Sequence, residues 1–287
     1  MKTIIQNAPC KINIGLEILN KRSDGYHNIN TIFHRVCLSD SIEIAPCEEL
    51  IVETDPPMGI PMQENLVYKA AQMLLNNFSC RSPGAKITLR KQIPSGGGLG
   101  GGSSDAATAM LMLTNYWRIP INIKELYNFA MTLGSDIPFF LHKGTAVALG
   151  RGEQLQFFNY TCPYWILLVN PNIHIPTAWA YSALGRSEDG RKATDLLFYF
   201  KRSIKKPEML KRYFINDFEE VVFRDYPEIE KIKKDLYQSG AIFAQLSGSG
   251  ATVFGFFNDK AAAFEAKASF PQYFTHMCPP EDDFEHQ

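Results

Sequence analysis

The sequence lacks an excess of charge of either sign. Its 287 residues carry 29 Lys and Arg against 30 Asp and Glu, a formal net charge of -1. Such a balance argues against broad nucleic-acid binding through bulk electrostatics, while leaving room for a local basic pocket around a phosphorylated ligand. Long apolar runs are missing as well. No stretch approaches the roughly 18 residues of a membrane span, and residues 1–8 lack the apolar centre of a signal peptide. The expectation is a soluble, cytoplasmic protein without a membrane or nucleic-acid partner. The six cysteines, Cys10, Cys37, Cys47, Cys80, Cys162 and Cys278, form no C-x-x-C pair and meet no His cluster at metal-ligand spacing. A disulfide scaffold or zinc site is therefore not expected, and reduced thiols are. Repeats and low-complexity tracts are also absent. What remains is an ordinary globular composition, 45% apolar and 21% charged, at a length suited to one large or two ordinary domains.

Periodicity places the elements. Ile12, Ile14, Leu16 and Ile18 alternate with Lys11, Asn13, Gly15 and Glu17, a period of two that predicts a half-buried strand with Lys11 and Asn13 on one face. The Ser23-Asp24-Gly25 turn separates it from strands at Thr31–Leu38, Ser41–Ala45 and Ile51–Glu53. Helices are predicted at Asn65–Asn77, Ala106–Trp117, Lys124–Leu133, Pro227–Gln238 and Asp259–Ala268, with a short one ending at Leu184. Further strands are predicted at Lys86–Lys91, Gly144–Leu149, Gln154–Phe158, Tyr164–Val169, Ile242–Leu246 and Thr252–Phe257. Residues 185–193 read as a polar surface loop, and Pro279–Gln287 as an acidic, frayed tail. This mixture is α+β, with a domain junction near 155–165.

The densest signal is Pro94, Ser95, Gly96, Gly97, Gly98, Leu99, Gly100, Gly101, Gly102, Ser103, Ser104, followed by Asp105. Glycine at this density costs backbone entropy and exposes amides with no side chain in the way. Such amides cradle phosphate oxygens, and a helix N-terminus behind them adds positive potential. Ser103 or Ser104 is the expected cap of that helix. The pattern Gly96-x-Gly98-x-x-Gly101 also fits the dinucleotide fingerprint, but no βαβ unit surrounds it. A phosphate-loop lysine is missing, because Ser103 stands in its place.

Together with A-P-C-K-I-N-I-G-L at 8–16, G-S-D-I-P-F-F at 134–140 and L-S-G-S-G-A-T at 246–252, this loop resembles the motifs of the GHMP kinases, which phosphorylate galactose, homoserine, mevalonate and related alcohols. The resemblance spans residues 8–257 in the family's order. It implies a two-domain α+β fold, with an ATP-binding domain at 1–160, a substrate-side domain at 161–287 and the active site in the cleft between them. It also implies ATP and Mg²⁺ as cofactors, with no metal ligand legible beyond a hydroxyl of Ser103 or Ser104.

The same resemblance assigns Asp136 as the base that takes the acceptor's proton and Lys11 as its cationic partner. By residue type alone, a solvated strand lysine is the favoured reading of Lys11, and Asp136 reads as a helix cap, a role compatible with catalysis. R-S-D-G-Y-H at 22–27 resembles the signature of the members acting on a small alcohol that carries a cytidine diphosphate, in isoprenoid precursor synthesis. Tyr26 and His27 would then hold the base, with Tyr181 on its other face and Thr177 and Asn13 also touching substrate. Ordinary packing accounts for the two tyrosines as well. Asn65 resembles a residue near the nucleotide and also reads as a plain helix cap. Ser247–Thr252 reads either as phosphate support or as a hairpin turn. Departures are modest: Cys10 and Ser95 stand where the family has other residues. The alternatives are a homoserine- or mevalonate-type kinase and a non-catalytic nucleotide-binding protein of the same fold. A monomer or a homodimer is expected.

Overall fold

The computed structural model describes residues 2–280; from residue 281 onward the tail expected to fray lies outside them. The alternating pattern builds strand β1, which runs over Ile4–Lys21. From Cys10 to Ile18 it is buried on both faces rather than one, because Lys11, Asn13 and Glu17 are covered together with the isoleucines. Each of these polar side chains has partners, which is what makes its burial tolerable. A turn at Arg22–Tyr26 follows, closed by the Arg22 N–H to the Tyr26 carbonyl at 2.8 Å. β2 (His27–Ala45) then runs unbroken through Ser39 and Asp40, where the sequence predicts two strands. Asp40 is buried, and its carboxylate accepts the backbone N–H groups of Gln92 at 2.5 Å and Ile93 at 2.8 Å. A residue that reads as a polar break is thus an internal anchor.

The remaining strands are β3 (Leu50–Asp55), β4 (Ala85–Arg90), β5 (Thr145–Gly150), β6 (Gln154–Phe158), β7 (Trp165–Asn170), β8 (Phe243–Leu246), β9 (Val253–Phe257) and β10 (Phe274–Cys278). The helices are α1 (Leu66–Asn77), α2 (Gly101–Tyr116), α3 (Ile123–Leu133), α4 (Ile137–Phe140), α5 (Thr177–Leu184), α6 (Leu196–Ser203), α7 (Pro207–Tyr213), α8 (Phe218–Asp225), α9 (Pro227–Gln238) and α10 (Lys260–Ala268). The chain forms two compact units, each drawing on separated segments.

The first unit takes the segment ending at Cys10, Leu38–Ile93 and Gly100–Lys143. Within it the second half of β2 pairs antiparallel with β4, Ser41 opposite Arg90, and β4 pairs in parallel with β3. α1 packs on α2 and α3, burying Val67, Ala70, Ala71 and Leu74 at helical spacing. α2 is buried on most sides from Ser104 to Ala109, which explains its alanine-rich start: small side chains let neighbours approach. Asn122 and Glu125 form a reciprocal capping box at the head of α3.

The second unit takes Lys11–Cys37, Pro94–Leu99 and the chain from Gly144 onward. Here Ile29–His34 of β2 pairs antiparallel with β5, and β5 with β6. A second, antiparallel sheet has the order β10-β7-β9-β8. Its core joins Leu167, Val169, Val253 and Phe257 to Phe218 and Val222 of α8 and to Ile229, Ile232 and Leu236 of α9. Each such side chain stabilises the unit by roughly 1.5–3 kcal/mol. The loop after α5 is tied down: Thr194 donates through N and Oγ1 to the Glu17 carboxylate at 3.0 and 2.6 Å, and Arg191 binds Asp217 at 2.5 Å.

Candidate active site

The first half of the glycine loop, Pro94–Leu99, is shaped by the turn between β8 and β9. Ser247 Oγ donates to the Gly98 carbonyl at 3.0 Å, and the Thr252 N–H donates to the Gly97 carbonyl at 3.2 Å. A side chain at Gly98 would put its Cβ 1.9 Å from the Ser247 carbonyl oxygen, and φ there is +74°. At Gly97 a Cβ would meet Asn170 Nδ2 at 2.8 Å and Thr252 Oγ1 at 2.9 Å. Glycine is thus demanded by close backbone approach as well as by conformation. The Ser247–Thr252 turn, whose role the sequence leaves open, is the buttress of this loop, and Asn216 Nδ2 holds it by the carbonyls of Leu246 and Gly248, both at 2.8 Å.

Lys11 and Asn13 share a face of β1, as their spacing requires, and that face meets the loop. The Lys11 ammonium donates to Asn13 Oδ1 at 2.7 Å and to the Gly98 carbonyl at 3.0 Å. It also lies 5.1 Å from the centre of the Phe33 ring. Asn13 Nδ2 donates to Thr31 Oγ1 at 3.0 Å, and its backbone N–H to Ser247 Oγ at 3.3 Å. With Lys11 4% exposed and Asn13 2%, the solvated-lysine reading is excluded. A buried ammonium at this place holds a fixed positive charge in a medium that screens it little.

The second half of the loop belongs to the first unit. α2 begins at Gly101 with Gly100 as its cap, in the left-handed conformation at φ 70°. This corrects the expectation that Ser103 or Ser104 caps the helix: both lie inside its first turn. The first intrahelical bond runs from the Ser104 N–H to the Gly100 carbonyl at 2.9 Å, so the amides of Gly101, Gly102 and Ser103 precede the helical ladder and present the positive helix end. Ser104 is buried and donates to the Pro9 carbonyl at 2.7 Å, whereas Ser103 is half-buried.

Beneath this helix start lies a charge triad that the sequence reading missed. Lys91 bonds both Asp40 and Asp105, the latter at 2.5 Å. Burial and the neighbouring Asp40 outweigh the pull of Lys91 and raise the Asp105 carboxyl to about 7. Burial works to discharge Lys91, but Asp105 and Asp40 prevail and hold it above its ordinary value. Asp105 Oδ1 has no hydrogen-bond partner among the described residues. Lys91 and Asp105 flank the loop in sequence, and that flanking was the available signal. Asp40 also grips Gln92 and Ile93, so the triad fixes the chain just before Pro94.

Asn65 caps α1, its side chain accepting the Val67 N–H at 2.8 Å. The next residue, Leu66, is the neighbour that a Cβ on Gly102 would meet, at 3.7 Å. Asp136 precedes α4 but makes no side-chain capping bond among the described residues, so the cap alternative does not account for its carboxylate. In the second unit His27 stacks on Tyr181 with ring centres 4.7 Å apart and planes at 17°, and Phe218 meets Tyr181 edge-on at 4.9 Å. Tyr26 is 57% exposed, with the Arg151 guanidinium 4.8 Å from its ring centre. Burial and then Lys21 push His27 below its ordinary pKa, leaving a neutral ring with one donor and one acceptor at neutral pH. Thr177 Oγ1 lies 3.1 Å from Ser249 Oγ, which brings the head of α5 to the buttress turn.

A glycine loop opening a helix, with a buried lysine beside it, is the constellation of a small-molecule kinase. Comparison with known proteins gives the class: the GHMP kinases N terminal domain matches residues 65–144 and the GHMP kinases C terminal domain matches 203–276. The chain is 42% identical over 264 residues, 89% of each chain, to the 4-diphosphocytidyl-2-C-methyl-D-erythritol kinase of Chlorobium limicola. It is 37% identical over 274 residues to that of Thermodesulfovibrio yellowstonii, covering 94% and 95%. A crystal structure of 4-(cytidine 5'-diphospho)-2C-methyl-D-erythritol kinase superposes with a TM-score of 0.77 at 31% identity, covering 96% and 99%. Homoserine kinase from Cytophaga hutchinsonii, at TM-score 0.73 and 15% identity over 98% and 95%, shares the fold. The chain belongs to the GHMP kinases and, within them, to the 4-diphosphocytidyl-2-C-methyl-D-erythritol kinase family.

Proposed function

We propose that this enzyme transfers the γ-phosphoryl group of ATP to the 2-hydroxyl of 4-diphosphocytidyl-2-C-methyl-D-erythritol, a step of non-mevalonate isoprenoid precursor synthesis. The observation that carries the reading is Lys11. A buried ammonium held against the Gly98 carbonyl puts fixed positive charge at a phosphate-binding loop. The amides of residues 96–103 cradle the phosphates, and Asn65 and Leu66 border the nucleotide. Asp136 accepts the hydroxyl proton as the oxygen attacks, and Lys11 stabilises the charge that develops. Asn13 keeps Lys11 in place through its 2.7 Å bond. Tyr26, His27 and Tyr181 hold the cytosine, with stacking for affinity and the neutral His27 ring for its edge. Thr177 and the buttress turn face the rest of the substrate.

Mg²⁺ fits this site through the hydroxyl of Ser103, a half-buried residue, whereas Ser104 is committed to Pro9 and Asp105 Oδ2 to Lys91. When bound, the ion neutralises phosphate charge. Residues 1–160 are the ATP-side domain and 161–287 the substrate-side domain. Family matches on either side of that boundary support the division, although the two compact units interleave along the chain. A cytoplasmic location fits this metabolic role. The test is a coupled assay of ADP release with the cytidyl alcohol, homoserine and mevalonate as acceptors. Turnover with the cytidyl alcohol alone is expected; preference for either of the others would refute the assignment.

A further inference from the structure

Cys37, His276 and Cys278 converge in the second unit, although they share no pattern in the sequence. Residues 276 and 278 alternate with Met277 along β10, so both project from one face of the strand. β2 brings Cys37 to that face: its Sγ lies 3.4 Å from His276 Nε2, and the three potential ligand atoms are all within 4.8 Å of one another. Two ligands bound tetrahedrally to one zinc ion, with Zn–S near 2.3 Å and Zn–N near 2.0 Å, stand about 3.5 Å apart for sulfur and nitrogen and about 3.8 Å for two sulfurs. The observed spacing needs only small side-chain adjustment to meet these values. None of the six cysteines is disulfide-bonded.

We propose that Cys37, His276 and Cys278 form a binding site for a zinc-class divalent cation, with a solvent molecule as its fourth ligand. Two sulfurs and an imidazole with no carboxylate select a borderline-soft ion and disfavour Mg²⁺. Cys278 is fully buried while Cys37 and His276 are half-buried, so the ion enters from the side of the latter two and meets solvent there. Binding releases the two thiol protons and leaves the imidazole neutral. The site is separate from the phosphoryl-transfer residues: β10 is one edge of its sheet, and the Ser247–Thr252 buttress leaves β8 at the other edge. Its effect is to clasp β10 to β2. The sequence expectation of no zinc site rested on spacing. That expectation looked for ligands close in sequence, and Cys37 and His276 are 239 positions apart.

The test is anaerobic Co²⁺ titration of the reduced, metal-stripped full-length protein. Expected are a thiolate-to-cobalt absorption in the near ultraviolet and strong tetrahedral bands in the red, saturating at one ion per chain and abolished by Zn²⁺. Cys37→Ser and Cys278→Ser should each remove the thiolate absorption, and Cys80→Ser should leave it intact. Absence of that absorption in the unmodified protein overturns the proposal without recourse to any variant. So does its persistence in both serine variants, or a Cys37–Cys278 disulfide that resists reduction.

Discussion

The Lys11 ammonium reaches back from β1 to the Gly98 carbonyl at 3.0 Å, tying the first strand to the glycine loop by a charge-assisted bond. Lys11→Met keeps the length of the side chain and removes the charge. The expected result is a fall in kcat of about 10²–10³-fold, the scale of losing one preorganised electrostatic partner. Steady-state kinetics checks this, and an unchanged kcat would remove Lys11 from the mechanism.

Asp136→Asn tests the base. The amide has the size and shape of the carboxylate, so the variant should bind ATP as before. Its kcat should drop by about 10²–10⁴-fold, the usual worth of a positioned acid or base. Near-normal turnover with intact ATP binding would assign the proton transfer elsewhere.

Gly98→Ala tests the close approach of loop and buttress. A Cβ 1.9 Å from the Ser247 carbonyl, at φ +74°, cannot be accommodated without backbone movement. A loss of roughly 1–3 kcal/mol in stability is expected, as for other overpacked sites, together with weaker ATP binding. Chemical denaturation measures the first and nucleotide titration the second.

Tyr181→Ala removes the ring on which His27 lies. The KM for the cytidyl alcohol should rise by about tenfold, since stacking on one base contributes roughly 1–3 kcal/mol, with the KM for ATP little changed. Equal effects on both substrates would argue against a role in base recognition.

The pH dependence of stability separates two buried groups. Burial, aided by Asp40, raises Asp105 from 3.8 to about 7, so the folded chain holds a proton there that the unfolded chain gives up. Its contribution is full below about 4 and is lost as pH rises to about 7. Burial lowers His34 from 6.5 to about 3, so its contribution is full above 6.5 and is lost as pH falls toward 3. The two oppose each other over most of that range. Unfolding measured against pH should therefore show the parent losing stability relative to Asp105→Asn as pH climbs from about 4 to 7. Relative to His34→Gln, the parent should lose stability as pH drops from 6.5 toward 3. Parallel curves would refute either shift.

Local patterns carried much of this molecule. The alternation around Ile12–Ile18 placed Lys11 and Asn13 on one face, and the glycine run announced its backbone amides. What local pattern cannot express is pairing at long range. Ser247 lies 149 positions from Gly98, so a turn that reads as a hairpin is in fact the wall of the loop. Asp40 interrupts an apolar strand and reads as a break, because its partners Gln92 and Ile93 come 52 and 53 residues later. Helices α6, α7 and α8 have only 7 or 8 residues each, too short for a helical period to stand out. Strand β10 escaped notice because its five residues Phe274–Cys278 mix His and Thr with apolar residues and fit no simple alternation.

The buttressed loop also bears on how the enzyme is made. Ribosomes deliver Gly97 and Gly98 well before Ser247 and Thr252, the residues that clamp their carbonyls. A nascent chain that has emerged only as far as α9 carries the whole glycine segment, held by Lys11 at Gly98 and Leu99 but without its buttress. The loop therefore reaches its buttressed form late in translation, and a polypeptide terminated before residue 247 would lack that support however well its first unit had folded.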